Sequence, residues 1–407
     1  MIRIIKNSFF NLFHLGSVQA TNILLQLILI PIVVRKVGIE ANGFVLTSLS
    51  LAGFISIFIN YASNQTGPIE IKLGTSQQND KGNLTGLFFI RLFFFFLYIL
   101  ISLLIYFLKL PFALFLLGII PMIFAEVVNP YIYFLGLEQL KYFNLANLFS
   151  RISALILVFY FVNQISDAPW VNALVGISQV AGFIFLWVLL VFKNHIPFAP
   201  PKLKNIIKAF NENLPLTISN LAVHFQQSVF LYGLGFMGDP VVLGAYAIAD
   251  KLIWGVRMML IAFSNAVYPR AIETFHESYD EWILFRKQVN KLLSIFLILM
   301  GLVLFISAHY IALLLSEKED VALVERFICL VSPVPLFIGL NALNVMELLM
   351  KKMFSLQLKL SIQIFIASIL MAVFSLFFLP PDLSILYLLI IEITCLIFYE
   401  KSRRYPR

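Results

Sequence analysis

The feature that most constrains this chain is a succession of long apolar runs separated by short polar segments. Runs of 18 or more apolar residues are typical of helices that cross a hydrocarbon core about 30 Å thick. The runs are continuous and do not alternate, so they predict helices and not the strands of a barrel. We predict twelve membrane-spanning helices, approximately at residues 8–34, 42–64, 84–108, 111–135, 143–163, 169–192, 211–236, 241–266, 288–309, 321–348, 354–379 and 383–400.

Composition supports an all-α polytopic membrane protein. The 407 residues are 61% hydrophobic and 12% charged, whereas a soluble domain carries roughly 25% charged residues. The two cysteines, Cys329 and Cys395, fall inside predicted spans and indicate buried thiols, with neither a disulfide framework nor a metal site.

The distribution of lysine and arginine predicts the orientation. With the N-terminus inside, most of these residues lie in cytoplasmic segments, whereas the opposite loops hold only Arg35, Lys36, Lys109 and Lys318. Cytoplasmic loops carry an excess of positive residues. We therefore expect both termini to be cytoplasmic. The excess of lysine and arginine on the cytoplasmic side explains the net charge of +8.

The longest inner loop, residues 193–208, contains three prolines and lies near the middle of the chain. It predicts a division into two six-helix lobes, residues 1–200 and 201–407. Aligning Gly43 with Gly244 places Gln19 opposite Asn220 and Gln26 opposite Gln227, which favours a parallel repeat of the two lobes.

Both aligned helices carry a polar stripe, because amides recur there at helical spacing. The stripe consists of Gln19, Asn22 and Gln26 in the first span and Asn220, His224 and Gln227 in the seventh. Two interpretations stay open: hydrogen bonding between helices, or a wet central cavity. A stripe in corresponding places of both lobes favours the cavity.

Charged residues inside the spans are costly and usually mark a transport path. The candidate substrate-binding cations are Arg91, Arg151, Lys251, Arg257 and Arg270. Lys359 and Arg326 are shallow enough to extend to the interface.

The acids in the spans are fewer, namely Glu126, Asp250, Glu347 and Glu392. Glu126 lies at a depth similar to that of Arg151 and could pair with it, whereas Asp250 and Arg257 stand two turns apart. Positive charge is left over in the inner half. A central cationic cavity would select an anionic substrate, since arginine binds phosphate bidentately.

No catalytic motif, phosphate-binding glycine loop or metal-ligand spacing is present, and the outer loops are short. We predict a protein that is not an enzyme, with no cofactor and no nucleic-acid partner.

Three segments resemble Wzx-type polysaccharide flippases of the multidrug/oligosaccharidyl-lipid/polysaccharide exporter superfamily. Residues 129–141, with Arg151 ten residues on, resemble their connection between the fourth and fifth helices. Gly244-Ala-Tyr-Ala-Ile-Ala-Asp-Lys, followed by Tyr268-Pro-Arg, resembles their eighth-helix signature. Pro31, Arg35-Lys-Val-Gly and Gly43-Phe are similar to their first turn.

The resemblance implies a flippase that moves an oligosaccharide linked to undecaprenyl pyrophosphate from the cytoplasmic to the periplasmic leaflet by alternating access. It also implies a bacterial inner-membrane location, other polysaccharide-assembly proteins as partners, and proton or sodium coupling with Asp250 and Glu126 as candidates. The first span has amides where related lipid II flippases have arginines, which argues against a peptidoglycan precursor.

Two alternatives remain. One is a cation-coupled drug antiporter of the same superfamily, which predicts an anionic cavity. The other is a membrane polysaccharide polymerase or glycosyltransferase, which needs a large outer loop. The sequence does not name the glycan, the coupling ion or the oligomeric state.

Overall fold

A computed structural model of the chain describes residues 2–74, 81–110, 112–137, 139–194, 203–351 and 353–403. Within these ranges the regular secondary structure is helical, as predicted. The α-helices are α1 (Ile2–Asn60), α2 (Ser63–Gly74), α3 (Lys81–Phe107), α4 (Ala113–Gly118), α5 (Ile120–Val127), α6 (Tyr131–Gly136), α7 (Leu140–Phe161), α8 (Val171–Asn194), α9 (Leu203–Met237), α10 (Pro240–Glu277), α11 (Tyr279–Leu315), α12 (Val321–Val331), α13 (Val334–Met350), α14 (Phe354–Phe378) and α15 (Leu386–Arg403). Short 3-10 turns at Ile165–Trp170 and Pro381–Leu383 precede α8 and α15.

A bend at Gly38 separates the parts of α1 that correspond to the first two predicted spans. Gly38 has φ 82° and ψ 165°, a conformation that glycine adopts without the strain a Cβ atom brings. The segment after the bend packs against α10, where a Cβ on Gly43 would lie 2.8 Å from the main-chain nitrogen of Gly244. Small residues allow such a close backbone approach. The two glycines that the repeat alignment pairs are therefore in direct contact.

The chain forms two compact units. The first consists of Met1–Val37 and Phe44–His224, and the second of Gly38–Gly43 and Phe225–Arg407. The division falls inside α9. The predicted lobe boundary at residues 200 and 201 stays a prediction, and the three prolines behind it lie outside the described residues.

The core of the first unit lies where α5 and α7 pack on α8. Gly182 of α8 leaves room for the side chain of Ser150 on α7. Phe143 stacks on Phe183 with ring centroids 5.8 Å apart, in a cluster that is almost fully buried. This packing holds the broken helix α5–α6 in place inside the unit.

The second unit is built around α10 to α13 and α15. Trp282 of α11, with no exposed surface, packs with Ala271 of α10 and with Leu343 and Met346 of α13. A second cluster joins α10 to α11 further along and includes Leu293. These apolar contacts surround the charged side chains described below.

The predicted spans correspond to the helices with three corrections. The predicted fourth span is three short helices, α4 to α6, because Pro130 and the glycines interrupt it. The predicted tenth span is two helices, α12 and α13, which meet at Ser332 and Pro333. Residues 203–208, assigned to a loop, are the first turns of α9.

Eight helices in the described part of the chain are long and apolar enough to cross a membrane by length and composition. One of them, Leu25–Asn60, contains the bend and therefore corresponds to two predicted spans. α9 and α10 have 35 and 38 residues but carry polar and charged side chains, so composition alone does not mark them.

Candidate functional site: charged clusters within the spans

The first cluster lies at the break between α5 and α6. α5 ends at Val127, and α6 begins at Tyr131. Pro130 has no N–H group and so cannot donate to a carbonyl of the preceding turn. The last carbonyls of α5 therefore need other donors, since water is scarce at membrane depth.

Arg91 of α3 supplies those donors. Arg91 is 4% exposed. The guanidinium donates to the carbonyl oxygens of Glu126 (3.4 Å), Val127 (3.5 Å) and Asn129 (3.1 Å), and to Ser63 Oγ (2.7 Å). Each of these acceptors is neutral, so the positive charge of Arg91 is not cancelled by a hydrogen-bonded carboxylate. A predicted substrate-binding residue thus caps a helix within the unit.

The carboxylate of Glu126 accepts hydrogen bonds from two amide side chains and not from Arg91. Its Oε2 accepts from Asn60 Nδ2 at 3.0 Å and from Asn129 Nδ2 at 3.2 Å. It also lies close enough to Arg151 and Arg91 to interact with both electrostatically. Among the described side chains, this cluster brings together the cations Arg91 and Arg151 and the acid Glu126.

The second cluster lies in the second unit, where Asp250 and Lys251 are adjacent on α10. Both are buried, with 6% and 9% of their surface exposed. The Lys251 Nζ and an Asp250 carboxylate oxygen are 3.8 Å apart. At that distance the pair is an ion pair with no short hydrogen bond.

Arg257 pairs with Glu392 of α15, and not with Asp250. Arg257 Nη2 donates to Glu392 Oε1 at 2.6 Å. Both residues are buried, at 6% and 7% exposed. The expectation that Asp250 and Arg257 do not pair directly agrees with this geometry. The acid partner from α15 was not predicted, because sequence spacing carries no information about contacts between distant helices.

Arg270 lies apart from these buried groups. Its side chain is 60% exposed and pairs with the equally exposed Glu273 at 2.9 Å. Exposed pairs of this kind contribute little to stability. Arg270 is therefore accessible, although it does not belong to the second cluster.

The polar stripe is only partly described. Gln19 and Asn22 lie outside the residues whose side chains the structure describes. Gln26, Asn220 and Gln227 are half-buried. His224 packs against Phe54 with ring centroids 6.0 Å apart within the first unit. A shared cavity lined by the stripe stays a prediction.

A third cluster was missed in the sequence analysis. Arg286 of α11, assigned there to a cytoplasmic segment, is 6% exposed and donates to Glu347 Oε2 of α13 at 2.9 Å. Its guanidinium also donates to Asn344 and to Glu400. Lys351 reaches the same carboxylate at 2.7 Å. The sequence signal was the i,i+4 spacing of Glu347 and Lys351, since Arg286 precedes the predicted span at 288–309.

The third cluster connects α11, α13 and α15. Tyr279 also donates to Glu347, at 3.1 Å. The Glu347 side chain, 1% exposed, thus receives three donors, which compensates for its burial.

The apolar helices of the described residues are typical of a polytopic membrane protein. A family model described as "Polysaccharide biosynthesis protein" matches residues 9–275. The chain belongs to this family.

Two curated relatives carry the name "Putative O-antigen transporter". The protein from Escherichia coli (strain K12) is 24% identical over 339 residues, which cover 81% of this chain and 80% of the relative. The protein from Shigella dysenteriae is 25% identical over 272 residues, which cover 64% of this chain and 66% of the relative.

Solved structures show the fold. The lipid II flippase MurJ in an inward closed conformation has a TM-score of 0.64 at 14% identity, covering 100% of this chain and 88% of its own. The MATE transporter VcmN of Vibrio cholerae in its bent form has a TM-score of 0.61 at 15% identity, covering 98% and 97%. A multidrug resistance MATE transporter in an inward-facing conformation has a TM-score of 0.64 at 13% identity. The match covers 89% of this chain and 93% of that transporter.

These neighbours have the twelve-helix fold with two lobes, which confirms the predicted fold class. The relatives are named as transporters and flippases, in agreement with the prediction that the protein is not an enzyme. The predicted resemblance to polysaccharide flippases is likewise confirmed by the family match.

Proposed function

We propose that the protein is a flippase for an oligosaccharide linked to a polyprenyl pyrophosphate. It moves this lipid from the cytoplasmic to the periplasmic leaflet of a bacterial inner membrane by alternating access. Membership of the polysaccharide biosynthesis family and the names of the relatives support a lipid-linked glycan as the substrate.

The observation that carries the anionic part of the proposal is the solvation of Arg91 by neutral acceptors. A buried cation that is held by carbonyl groups and a hydroxyl keeps its charge. With Arg151 in the same unit, the positive potential exceeds what Glu126 offsets. Pyrophosphate, with several negative oxygens, fits such a potential.

Lys251 and Arg151 are the residues we expect to act on the substrate. Lys251 is held by Asp250 through a 3.8 Å contact, which a phosphate oxygen could replace more readily than the 2.6 Å contact of Arg257. Asp250 and Glu126 are then the candidates for proton or sodium coupling. Cytoplasmic termini and partners among polysaccharide-assembly proteins complete the proposal.

A drug/cation antiporter is the second candidate, and the described acids disfavour it. A cationic drug needs a carboxylate that is free to receive it. The four acids singled out in the spans already receive donors from Asn60, Lys251, Arg257 and Arg286, among others. A polymerase or glycosyltransferase has no supporting observation here.

Complementation tests the flippase. A strain without its own flippase, expressing the cognate glycan genes, receives wild type, Lys251→Ala, Arg151→Ala or Lys359→Ala at matched membrane levels. Lys359 is exposed and is the control for loss of a lysine. We expect surface glycan with wild type and Lys359→Ala, and at least a tenfold reduction with the other two variants.

The other outcomes separate the parts of the proposal. Full activity of Lys251→Ala and Arg151→Ala would keep the flippase and remove these residues from its site. Failure of the wild type with its cognate glycan, together with energy-dependent drug resistance in the same strain, would replace the flippase by the antiporter.

A further inference from the structure

A buried hydroxyl next to the second cluster has no role in the function proposed above. Tyr246 of α10 is 0% exposed, and its hydroxyl has no hydrogen-bond partner among the described residues. Burying a hydroxyl without a partner is unfavourable, and buried polar groups in folded proteins are usually paired. An unpaired hydroxyl in this packed interior therefore indicates a role outside the stability of the fold.

Aromatic packing fixes the ring of Tyr246. The ring centroid lies 5.0 Å from that of Phe230 in an edge-on arrangement, and Phe230 stacks on Tyr387 of α15 at 4.7 Å. The hydroxyl of Tyr387 differs from that of Tyr246, because it donates to the main-chain oxygen of Gln226 at 3.2 Å. The packing therefore holds the Tyr246 ring and leaves its hydroxyl without an acceptor.

Tyr246 and Asp250 lie on one face of α10, because they are four residues apart. Their Cβ atoms are then about 5–6 Å apart, and the two side chains interact electrostatically. They form no hydrogen bond in this structure, in which Asp250 contacts Lys251 at 3.8 Å. A change of the Asp250 rotamer is the movement that a hydrogen bond between Tyr246 and Asp250 requires.

The exchange proposed for Lys251 leaves Asp250 in need of a donor. When Lys251 Nζ turns to a phosphate oxygen, Asp250 loses its ion pair while it stays buried at 6% exposed. A buried carboxylate without a partner is strongly unfavourable. Arg257, the other cation that interacts with Asp250, already donates to Glu392. The hydroxyl of Tyr246 has no such acceptor, and its hydrogen bond to a charged carboxylate would be a strong one.

We propose that Tyr246 is a positioning residue of the substrate site, whose hydroxyl donates to Asp250 when Lys251 leaves that carboxylate for a phosphate of the substrate. This inference rests on the proposed function, which brings a phosphate to Lys251. Tyr246 does not touch the substrate. It lowers the free-energy cost of releasing Lys251, so its hydroxyl contributes to substrate affinity and not to the stability of the unliganded protein.

Tyr246→Phe separates these two contributions, because it removes the hydroxyl and keeps the ring. The full-length protein in lipid nanodiscs is melted without ligand, and its equilibrium binding of polyprenyl pyrophosphate is measured. We expect the variant to melt at the temperature of wild type or higher, since it no longer buries an unpaired hydroxyl. We expect it to bind polyprenyl pyrophosphate at least fivefold more weakly.

Tyr98→Phe is the matched control. Tyr98 is a buried tyrosine of the first unit, 7% exposed, whose hydroxyl donates to the main-chain oxygen of Leu116 at 2.6 Å. Because this hydroxyl has a partner, we expect Tyr98→Phe to lower the melting temperature and to change the affinity less than twofold. The two variants should therefore respond in different measurements.

The effect of Tyr246→Phe should disappear when the carboxylate is absent. Asp250→Asn carries no charge that needs a donor after Lys251 leaves, so adding Tyr246→Phe to it should change the affinity less than twofold. A fivefold loss on both backgrounds would overturn the proposal, because the hydroxyl would then act independently of Asp250. A fall in melting temperature as large as that of Tyr98→Phe would also overturn it, by assigning the hydroxyl to the unliganded fold.

The failures of the two proposals are distinguishable. A wild type that restores surface glycan, with equal affinities of wild type and Tyr246→Phe for polyprenyl pyrophosphate, keeps the flippase and removes the positioning role. Absence of binding to the wild type overturns the exchange at Lys251 whatever the complementation shows, whereas the flippase itself is judged by the surface glycan.

Discussion

Two of the buried arginines, Arg91 in the first unit and Arg257 in the second, have hydrogen-bond acceptors of opposite kinds. Arg91 in the first unit, 4% exposed, is surrounded by main-chain carbonyls and the hydroxyl of Ser63. Arg257 in the second unit, 6% exposed, meets the carboxylate of Glu392 at 2.6 Å. The acceptors of Arg91 are neutral and leave its charge in place, although its Nε has no partner among the described residues, whereas the carboxylate of Glu392 offsets the charge of Arg257.

Because the acceptors of Arg91 and Arg257 differ in charge, a buried cation in a membrane protein does not by itself identify a substrate site. Removing a charge from water costs several kcal/mol, and either acceptor type can offset that cost. Only the arrangement with neutral acceptors leaves a positive potential that a distant anion can use. Under the proposed function, we expect the first unit to supply long-range attraction for the anion, with Nη1 and Nη2 of Arg91 already donating to protein acceptors.

The largest effect should come from Glu392→Gln. Breaking a buried pair on one side leaves an uncompensated charge and costs roughly 3–5 kcal/mol. We expect a clear fall in the apparent melting temperature of the detergent-solubilised protein. Glu325→Gln, which removes the acid of the exposed His309–Glu325 pair, is the control and should shift it little.

The double variant Arg257→Met/Glu392→Leu should recover most of this stability, because replacing a buried pair by apolar residues is often neutral. A melting temperature of Glu392→Gln equal to that of the control would show that the pair is not buried as described.

Arg91→Met should have the next largest effect. The carbonyls of Val127 and Asn129 lose the donor that Arg91 gives them, while the carbonyl of Glu126 keeps the N–H groups of Val128 and Asn129. We expect a cost of about 2–3 kcal/mol, since buried acceptors without partners are unfavourable. Arg91→Lys should lose less. Glu126→Gln should rescue Arg91→Met only weakly, since Arg91 donates to the Glu126 carbonyl and interacts with its carboxylate only at longer range. A coupling as large as that of Arg257 with Glu392 in a double-mutant cycle would refute the distinction.

The sequence was informative about the fold because apolar length is a local property. The spans and the turn at Gly38 can be read from composition and from the special backbone properties of glycine, whereas the interruption at Pro130 falls inside a span that was predicted to be continuous. The two halves of α12–α13 were missed because an apolar run continues unchanged through Ser332 and Pro333.

The placement of Arg91, Lys251 and Arg257 inside the membrane stays a prediction, although all three are buried within helices. The sequence did not predict their partners. It could not predict that Glu392, 135 residues away from Arg257, meets it, because helical spacing fixes angles within one helix only. The same limit hid the contact between Arg286 and Glu347.

Ser63→Ala should have a smaller effect. The hydroxyl accepts from Arg91 Nη2 at 2.7 Å, and loss of one hydrogen bond to a charged group costs about 1.5–3 kcal/mol when no other acceptor replaces it. Three carbonyls remain near the guanidinium, so we expect the low end, about 1.5 kcal/mol. Ser56→Ala, which removes a hydroxyl that donates only within its own helix, is the control. Equal melting temperatures for the two variants would show that Ser63 does not contribute to the solvation of Arg91.

The smallest effect is expected outside the membrane spans, at Asp320 between α11 and α12. Partial burial, together with the nearby carboxylates of Glu317, Glu319 and Glu40, raises the pKa of Asp320 above its usual range. The folded protein therefore binds a proton at a higher pH than the unfolded chain does. Stability falls as pH rises from the unfolded pKa, about 3.9, through the raised folded pKa, because the unfolded state loses its proton first.

Asp320→Asn removes this dependence and should make the protein slightly more stable at pH 7, with the gain disappearing near pH 4. Glu319→Gln should act in the same direction by lowering the pKa of Asp320. Melting curves between pH 4 and pH 8 measure both variants. If the difference between Asp320→Asn and wild type were independent of pH, charge repulsion at this turn would not be its cause. Water can relieve a crowded charge here, whereas Arg91 and Arg257 depend on protein acceptors, so the effect of removing charge should be smaller at Asp320 than at either arginine.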